Sequence, residues 1–161
     1  MSFDVFLVPS STTPAADLYG ATALEALRAA EIQPGRYTGE WRTVDGAFFD
    51  LDVEGGNDAM FELRTFTPSI AAAIFALADQ TASFVVPASE VSCALRTPAN
   101  RGAPPDDFPS ITDVADVQAL VQALEAGFAG WSEFRDKVVA PPPSQSTLGR
   151  LWRRLTGSDK S

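Results

Sequence analysis

The chain contains no histidine and a single cysteine, Cys93, in 161 residues. Without histidine, the side chain that most often acts as a general base near neutral pH is missing, and so is the commonest metal ligand. One cysteine cannot close an intrachain disulfide, and structural zinc needs several Cys or His ligands. Such cysteine usage suits a reducing compartment, so the cytoplasm is the expected location. Positive charge is scarce as well: 12 Lys and Arg stand against 21 Asp and Glu, a net charge of −9. A surface this acidic repels phosphate backbones, so no nucleic-acid partner is expected. No apolar run approaches the ~20 residues that span a bilayer. The N-terminus has no basic region and Asp4 interrupts its apolar run, unlike a signal peptide. Nucleophile-elbow, P-loop and dinucleotide-binding glycine patterns are all missing. No cofactor and no bound metal is therefore expected.

What is present reads as ordinary globular protein: 45% of residues are hydrophobic and 20% charged. The length suits a single domain, placed at residues 1–138, with a Pro/Ser linker at 139–147 and a tail at 148–161.

Residues 3–8 form an apolar run rich in aromatic and β-branched side chains, closed by Pro9, which predicts an interior strand. Thr13-Pro14 is a cap-and-proline start for a helix ending before Pro34-Gly35, with apolar contacts from Leu24 and Leu27. Residues 47–54 alternate: Ala47, Phe49, Leu51 and Val53 share one face, and Phe48, Asp50, Asp52 and Glu54 the other. After Gly55-Gly56-Asn57-Asp58 the alternation resumes over 60–66, predicting an antiparallel hairpin. Thr67-Pro68 opens a second helix whose Ile70, Ile74 and Leu77 form a stripe. Phe75 lies off that stripe and needs cover from a later segment or from a second copy of the chain in a homodimer. Residues 83–86 read as a strand, with a short extra strand over 91–95 and a proline-rich surface loop at 97–109. A third helix is predicted over about 112–134, capped by Ser110 or Thr112 and fraying after Phe128 because of Gly127 and Gly130.

The order strand, helix, strand, strand, helix, strand predicts an α+β fold. Its plan is a ferredoxin-like β-α-β-β-α-β antiparallel sheet of four strands with an added C-terminal helix. That helix is the candidate cover for the second faces of 3–8 and 83–86.

The opening Met1-Ser2-Phe3-Asp4-Val5-Phe6-Leu7, the stretch from Met60 to Pro68 and the strand Phe84-Val85-Val86-Pro87 carry a resemblance. Over about the first ninety residues the chain resembles a group of uncharacterised small bacterial proteins opening Met-Ser-(Phe/Tyr)-Asp-aliphatic-aromatic, some of the immunity type encoded beside toxins. The resemblance implies a protein-binding role and transfers no catalytic residue.

Asp50, Asp52 and Glu54 form a carboxylate row on one strand face, with Glu62 and Arg64 contributed by the partner strand. The row reads either as a solvated face with a cross-strand Arg64 pair or as a docking face for a basic partner. A third reading is a divalent-metal site for an enzyme built on Asp50, Asp52 and Glu54. Trp41, near Tyr37, Arg36 and Arg42, is either an interface anchor or a cap on the core, and an extra strand over 37–43 is open.

The tail carries Arg150, Arg153, Arg154 and Lys160 against Asp159, a net +3, leaving −12 on residues 1–147. Leu148, Leu151, Trp152 and Leu155 make its apolar stripe. It can dock onto its own domain, into a partner's groove or onto an anionic membrane. Three functions remain: an acidic, immunity-like interaction module that binds another protein, a metal-dependent enzyme, and a peripheral membrane or scaffold protein.

Overall fold

The computed structural model describes residues 2–10, 20–53, 59–88, 93–103 and 110–139. The chain divides into two compact units, Met1–Trp131 and Ser132–Ser161. Of the second unit, residues 132–139 are described, and they are helical. The tail residues Leu148, Arg150, Leu151, Trp152, Arg153, Arg154 and Leu155 lie outside the described residues, as do 140–147 of the expected linker.

The fold is α+β. Its strands are β1 (Phe3–Pro9), β2 (Gln33–Pro34), β3 (Glu40–Arg42), β4 (Phe48–Asp52), β5 (Ala59–Leu63), β6 (Ser83–Pro87), β7 (Ala94–Arg96) and β8 (Ile111–Asp113). The helices are α1 (Gly20–Ala29), α2 (Pro68–Thr81) and α3 (Val117–Val139). One sheet takes all eight strands in the order β2-β3-β4-β5-β1-β6-β7-β8, which corrects the four-stranded expectation. Two short strands are added at each side of β4-β5-β1-β6. Every pairing is antiparallel except β7 with β8.

Alternation decides which side chains are buried. Phe3, Val5 and Leu7 of β1 stand opposite Leu63, Phe61 and Ala59 of β5, and Phe49 and Leu51 of β4 continue the same face. All are buried and join one core with Leu27 of α1, Ile70, Ile74 and Leu77 of α2, and Leu120 and Leu124 of α3. Phe128 packs edge-on against Phe3 at 5.8 Å between ring centroids. Helix α3 therefore approaches the sheet from the side that carries α1 and α2, and the expected cover of the opposite face is corrected. On that opposite face Phe6 and Val86 are half-buried, while Phe84 is fully buried. Phe75 is half-buried and packs against the core.

Helix α2 starts where its cap dictates. Thr67 is extended and its hydroxyl accepts from the Ile70 N–H at 3.3 Å, with Pro68 in the first turn. Helix α3 starts five residues later than the sequence suggests. Residues 111–113 pair with β7 instead, and Asp116 is the cap, its carboxylate accepting from Ala119 N–H at 2.8 Å. The helix also runs on past Phe128 to Val139, against the expected fraying. The proposed start of α1 at Thr13-Pro14 and the turn at 54–58 lie outside the described residues.

Between β3 and β4 the chain reverses over Thr43–Ala47, with Gly46 at φ +85. Buried Thr43 donates its hydroxyl to the Asp45 carboxylate. That bond is the main reason the Asp45 carboxyl lies below its ordinary range. A depressed carboxylate stabilises the fold at neutral pH, and that contribution is lost as pH falls below the ordinary carboxylate range. Thr67→Ala is expected to destabilise the fold by about 1 kcal/mol in urea unfolding. Asp45→Asn is expected to reduce the fall in stability on acidification below that range, read from unfolding curves at several pH values.

Candidate functional site

The register across the sheet makes a row that no single strand reveals. Asp4 of β1 stands opposite Glu62 of β5, Glu62 opposite Asp50 of β4, and Asp50 opposite Glu40 of β3. Four carboxylates thus lie side by side on four adjacent strands, on the face away from the core. Directly opposed residues sit roughly 4.5–5.5 Å apart at Cβ, and like charges there repel.

Relief of that repulsion is slight. Asp4 accepts from the Ser2 hydroxyl at 2.8 Å, and Glu40 accepts from the Arg36 N–H at 2.8 Å. Arg64 reaches Asp50 at 3.8 Å with its own side chain 80% exposed. A pair this exposed and long contributes little. The Glu62 side chain, in the middle of the row, makes no hydrogen bond or ion pair among the described residues. Arg42, another cation nearby, lies over the Phe48 ring at 5.4 Å.

Beside the row opens a cleft of about 810 Å³. It exists because β3 stops at Glu40 while β4 continues to Asp52. The chain leaves the sheet there through Gly39, whose φ of +86 suits glycine, and Gly39 O accepts from Leu51 N–H at 2.9 Å. Just after that turn, Glu40 folds back over Gly35, where a Cβ would stand 2.4 Å from Glu40 Oε1. On the helix side the cleft is lined by Leu24 and Leu27 of α1 with Trp41 and Leu51. On the other side it is rimmed by Asp50, Asp52 and Glu62. Tyr37 and Leu24 are 68% and 42% exposed, an apolar pair at the mouth. The sequence placed Leu24 among the core contacts of α1; it stands at the cleft instead.

The structure brings Asp50, Asp52, Glu62 and Trp41 to one cleft and sets Arg64 beside Asp50. Trp41 pairs with Phe49, so its ring lies on the face opposite the carboxylates, half-buried against the core. It thus serves both as a cap on the core and as a wall of the cleft. Glu54 lies outside the described residues. Sequence reasoning missed Asp4 and Glu40. The alternation of residues 3–8 does turn Asp4 away from the core, but the lateral register that aligns it with Glu62 has no local signal. Among the described residues no three Asp, Glu or Cys side chains converge where they would hold a metal ion. Nor is any helix among them long and apolar enough to cross a membrane.

Comparison of the chain with protein-family models, with curated proteins and with solved structures finds no match.

Replacing Glu62 removes the central like-charge contacts and little else. Glu62→Gln is expected to stabilise the fold by about 0.2–1 kcal/mol, measured as a rise in urea midpoint at low salt that shrinks at high salt.

Proposed function

We propose that the protein is a non-catalytic interaction module whose acid-rimmed cleft takes up a basic segment of another protein. The observation that carries this reading is the row Asp4, Glu62, Asp50, Glu40, four like charges held in register with one weak cationic contact. A row that costs stability and has so little of its charge offset internally is suited to a partner that supplies the cations. The cleft beside it adds what charge alone lacks: apolar walls from Trp41, Leu24 and Leu51 and the exposed Tyr37 ring. Aromatic side chains of this kind anchor interfaces, while the carboxylates speed encounter and reject acidic competitors. The partner segment would present lysines or arginines around an apolar side chain.

The framework also supports a refinement of fold. We read the order β4-β5-β1-β6, antiparallel throughout, with α1 and α2 on one face, as a ferredoxin-like core with short strands added at both edges. That framework hosts many functions and does not choose among them. A basic toxin neutralised by an acidic immunity-type protein is one pairing with this chemistry.

The test is a labelled peptide carrying four lysines around one leucine, titrated at about 50 and 500 mM salt. Salt-sensitive binding is expected. It should weaken by about tenfold or more in Asp50→Asn/Glu62→Gln. The double variant Glu125→Gln/Glu133→Gln, which neutralises two exposed acids on α3, should bind nearly as well as the original. Equal weakening in both would show a generally acidic surface and no docking site. Millimolar Mg²⁺ or Ca²⁺ is expected to leave the melting temperature unchanged; a rise would favour metal chemistry at Asp50 and Asp52 instead.

A further inference from the structure

Far from the acidic row, the link after β7 departs from the exposed loop its prolines suggest. Thr97 and Asn100 are 1% and 3% exposed. They are drawn in by a turn in which Asn100 N–H donates to Thr97 O at 3.1 Å, and by Ala99 N–H donating to the Asp79 carboxylate at 3.0 Å. The Asn100 amide orientation follows from its neighbour: Oδ1 accepts from Gly102 N–H at 3.1 Å, which leaves Nδ2 as the free donor. Among the described residues neither Asn100 Nδ2 nor Thr97 Oγ1 has a hydrogen-bond partner. Buried polar groups are normally paired, and two orphans on neighbouring residues call for a physical reason.

Both residues line a pocket of about 450 Å³ at the C-terminal ends of the parallel pair β7 and β8, together with Arg96, Arg101, Asp113 and Val114. Arg96 donates through Nε at 2.6 Å and Nη2 at 3.2 Å to the Asp113 carboxylate, so that acid is already neutralised while Nη1 stays unused in the pair. Arg101 is exposed and makes no hydrogen bond or ion pair among the described residues. The pocket therefore carries two guanidinium groups against one carboxylate, in a chain whose net charge is −9. Its size lies within the range of small-molecule sites.

We propose that this pocket binds a small molecule through an oxyanion, a carboxylate or a phosphate group, held by Arg101 and by the Asn100 amide and Thr97 hydroxyl at its floor. Only a group rich in acceptors matches this set. The Nδ2 donor and a free guanidinium both require acceptors, and the hydroxyl can supply its own proton to one. A cation would meet the two arginines, with Asp113, the one carboxylate among the described lining residues, already paired. Arginine next to a buried amide is suited to planar or tetrahedral oxyanions because charge-assisted hydrogen bonds gain strength away from water.

The experiment is amide-resolved NMR of the full chain, titrated separately with inorganic phosphate and with succinate, against sodium chloride at matched ionic strength. Saturable shifts confined to Thr97–Arg101 and Val114 are expected from at least one anion, and the stronger of the two identifies the oxyanion. Arg101→Ala, an exposed substitution that leaves the fold intact, is expected to weaken the binding about tenfold or more. Asn100→Asp keeps the acceptor for Gly102 but replaces the donor with a second anion, and should abolish binding. Shifts that chloride reproduces, no saturation with either anion, or unchanged affinity in Arg101→Ala would overturn the proposal. A pocket holding only water gives the second of these results.

Discussion

The register between β1 and β5 is the constraint on which the rest of the molecule depends. With Phe3 opposite Leu63 and Val5 opposite Phe61, alternate residues on three strands point into one core and their neighbours point away from it. A slip of one residue would carry Asp4, Asp50 or Glu62 into the layer beneath α2 and expose the phenylalanines. Burying an unpaired carboxylate there costs far more than any surface contact returns. The same constraint produces the acidic row. Once the apolar set is aligned, the acids that alternate with it are aligned as well. The repulsion among them is a consequence the core is strong enough to bear.

That coupling explains what was legible in the sequence. Period-two alternation over 47–53 and 60–63 is strong because each strand has one buried face, and the Thr67-Pro68 cap is a local device with a local signature. The elements that escaped have too few residues to show a period: β2 has two and β8 three, while β3, also three, falls within the strand left open over 37–43. In β8, Thr112 looks like a helix cap, yet its backbone pairs with Leu95 in the parallel ladder and Asp116 takes the cap. Helix α3 has an apolar face that the sequence displays plainly. Which side of the sheet receives it is decided by Phe3 and Phe66 meeting Phe128, contacts that join residues some sixty or more apart in the chain. The candidate site was legible strand by strand and illegible across strands. Asp50, Asp52 and Glu62 follow from alternation, whereas Asp4 and Glu40 enter only through lateral pairing.

Where the two ends of β3 and β4 part company, geometry converts a flat acidic face into a concave one. A sheet that kept β3 paired along all of β4 would present its carboxylates on a plain surface. Instead the backbone turns away at Gly39, and the space it leaves is bounded by α1 on one side and by Asp50 and Asp52 on the other. The cleft is thus lined both by Trp41 and Leu24 on the helix side and by Asp50 and Asp52 of the outer face.

The edges of the sheet offer little to a partner that would add a strand. An exposed strand edge invites a partner to add a strand through its main chain. Here one outermost strand is two residues long and ends in Pro34, which has no N–H to donate. The strand at the opposite edge is three residues long, with exposed Asp113 bonded to Arg96. Among the described residues neither offers a ladder long enough to hold an extended peptide. The partner proposed above would therefore be held by side-chain charge and the aromatic wall, with main-chain pairing at these edges contributing little.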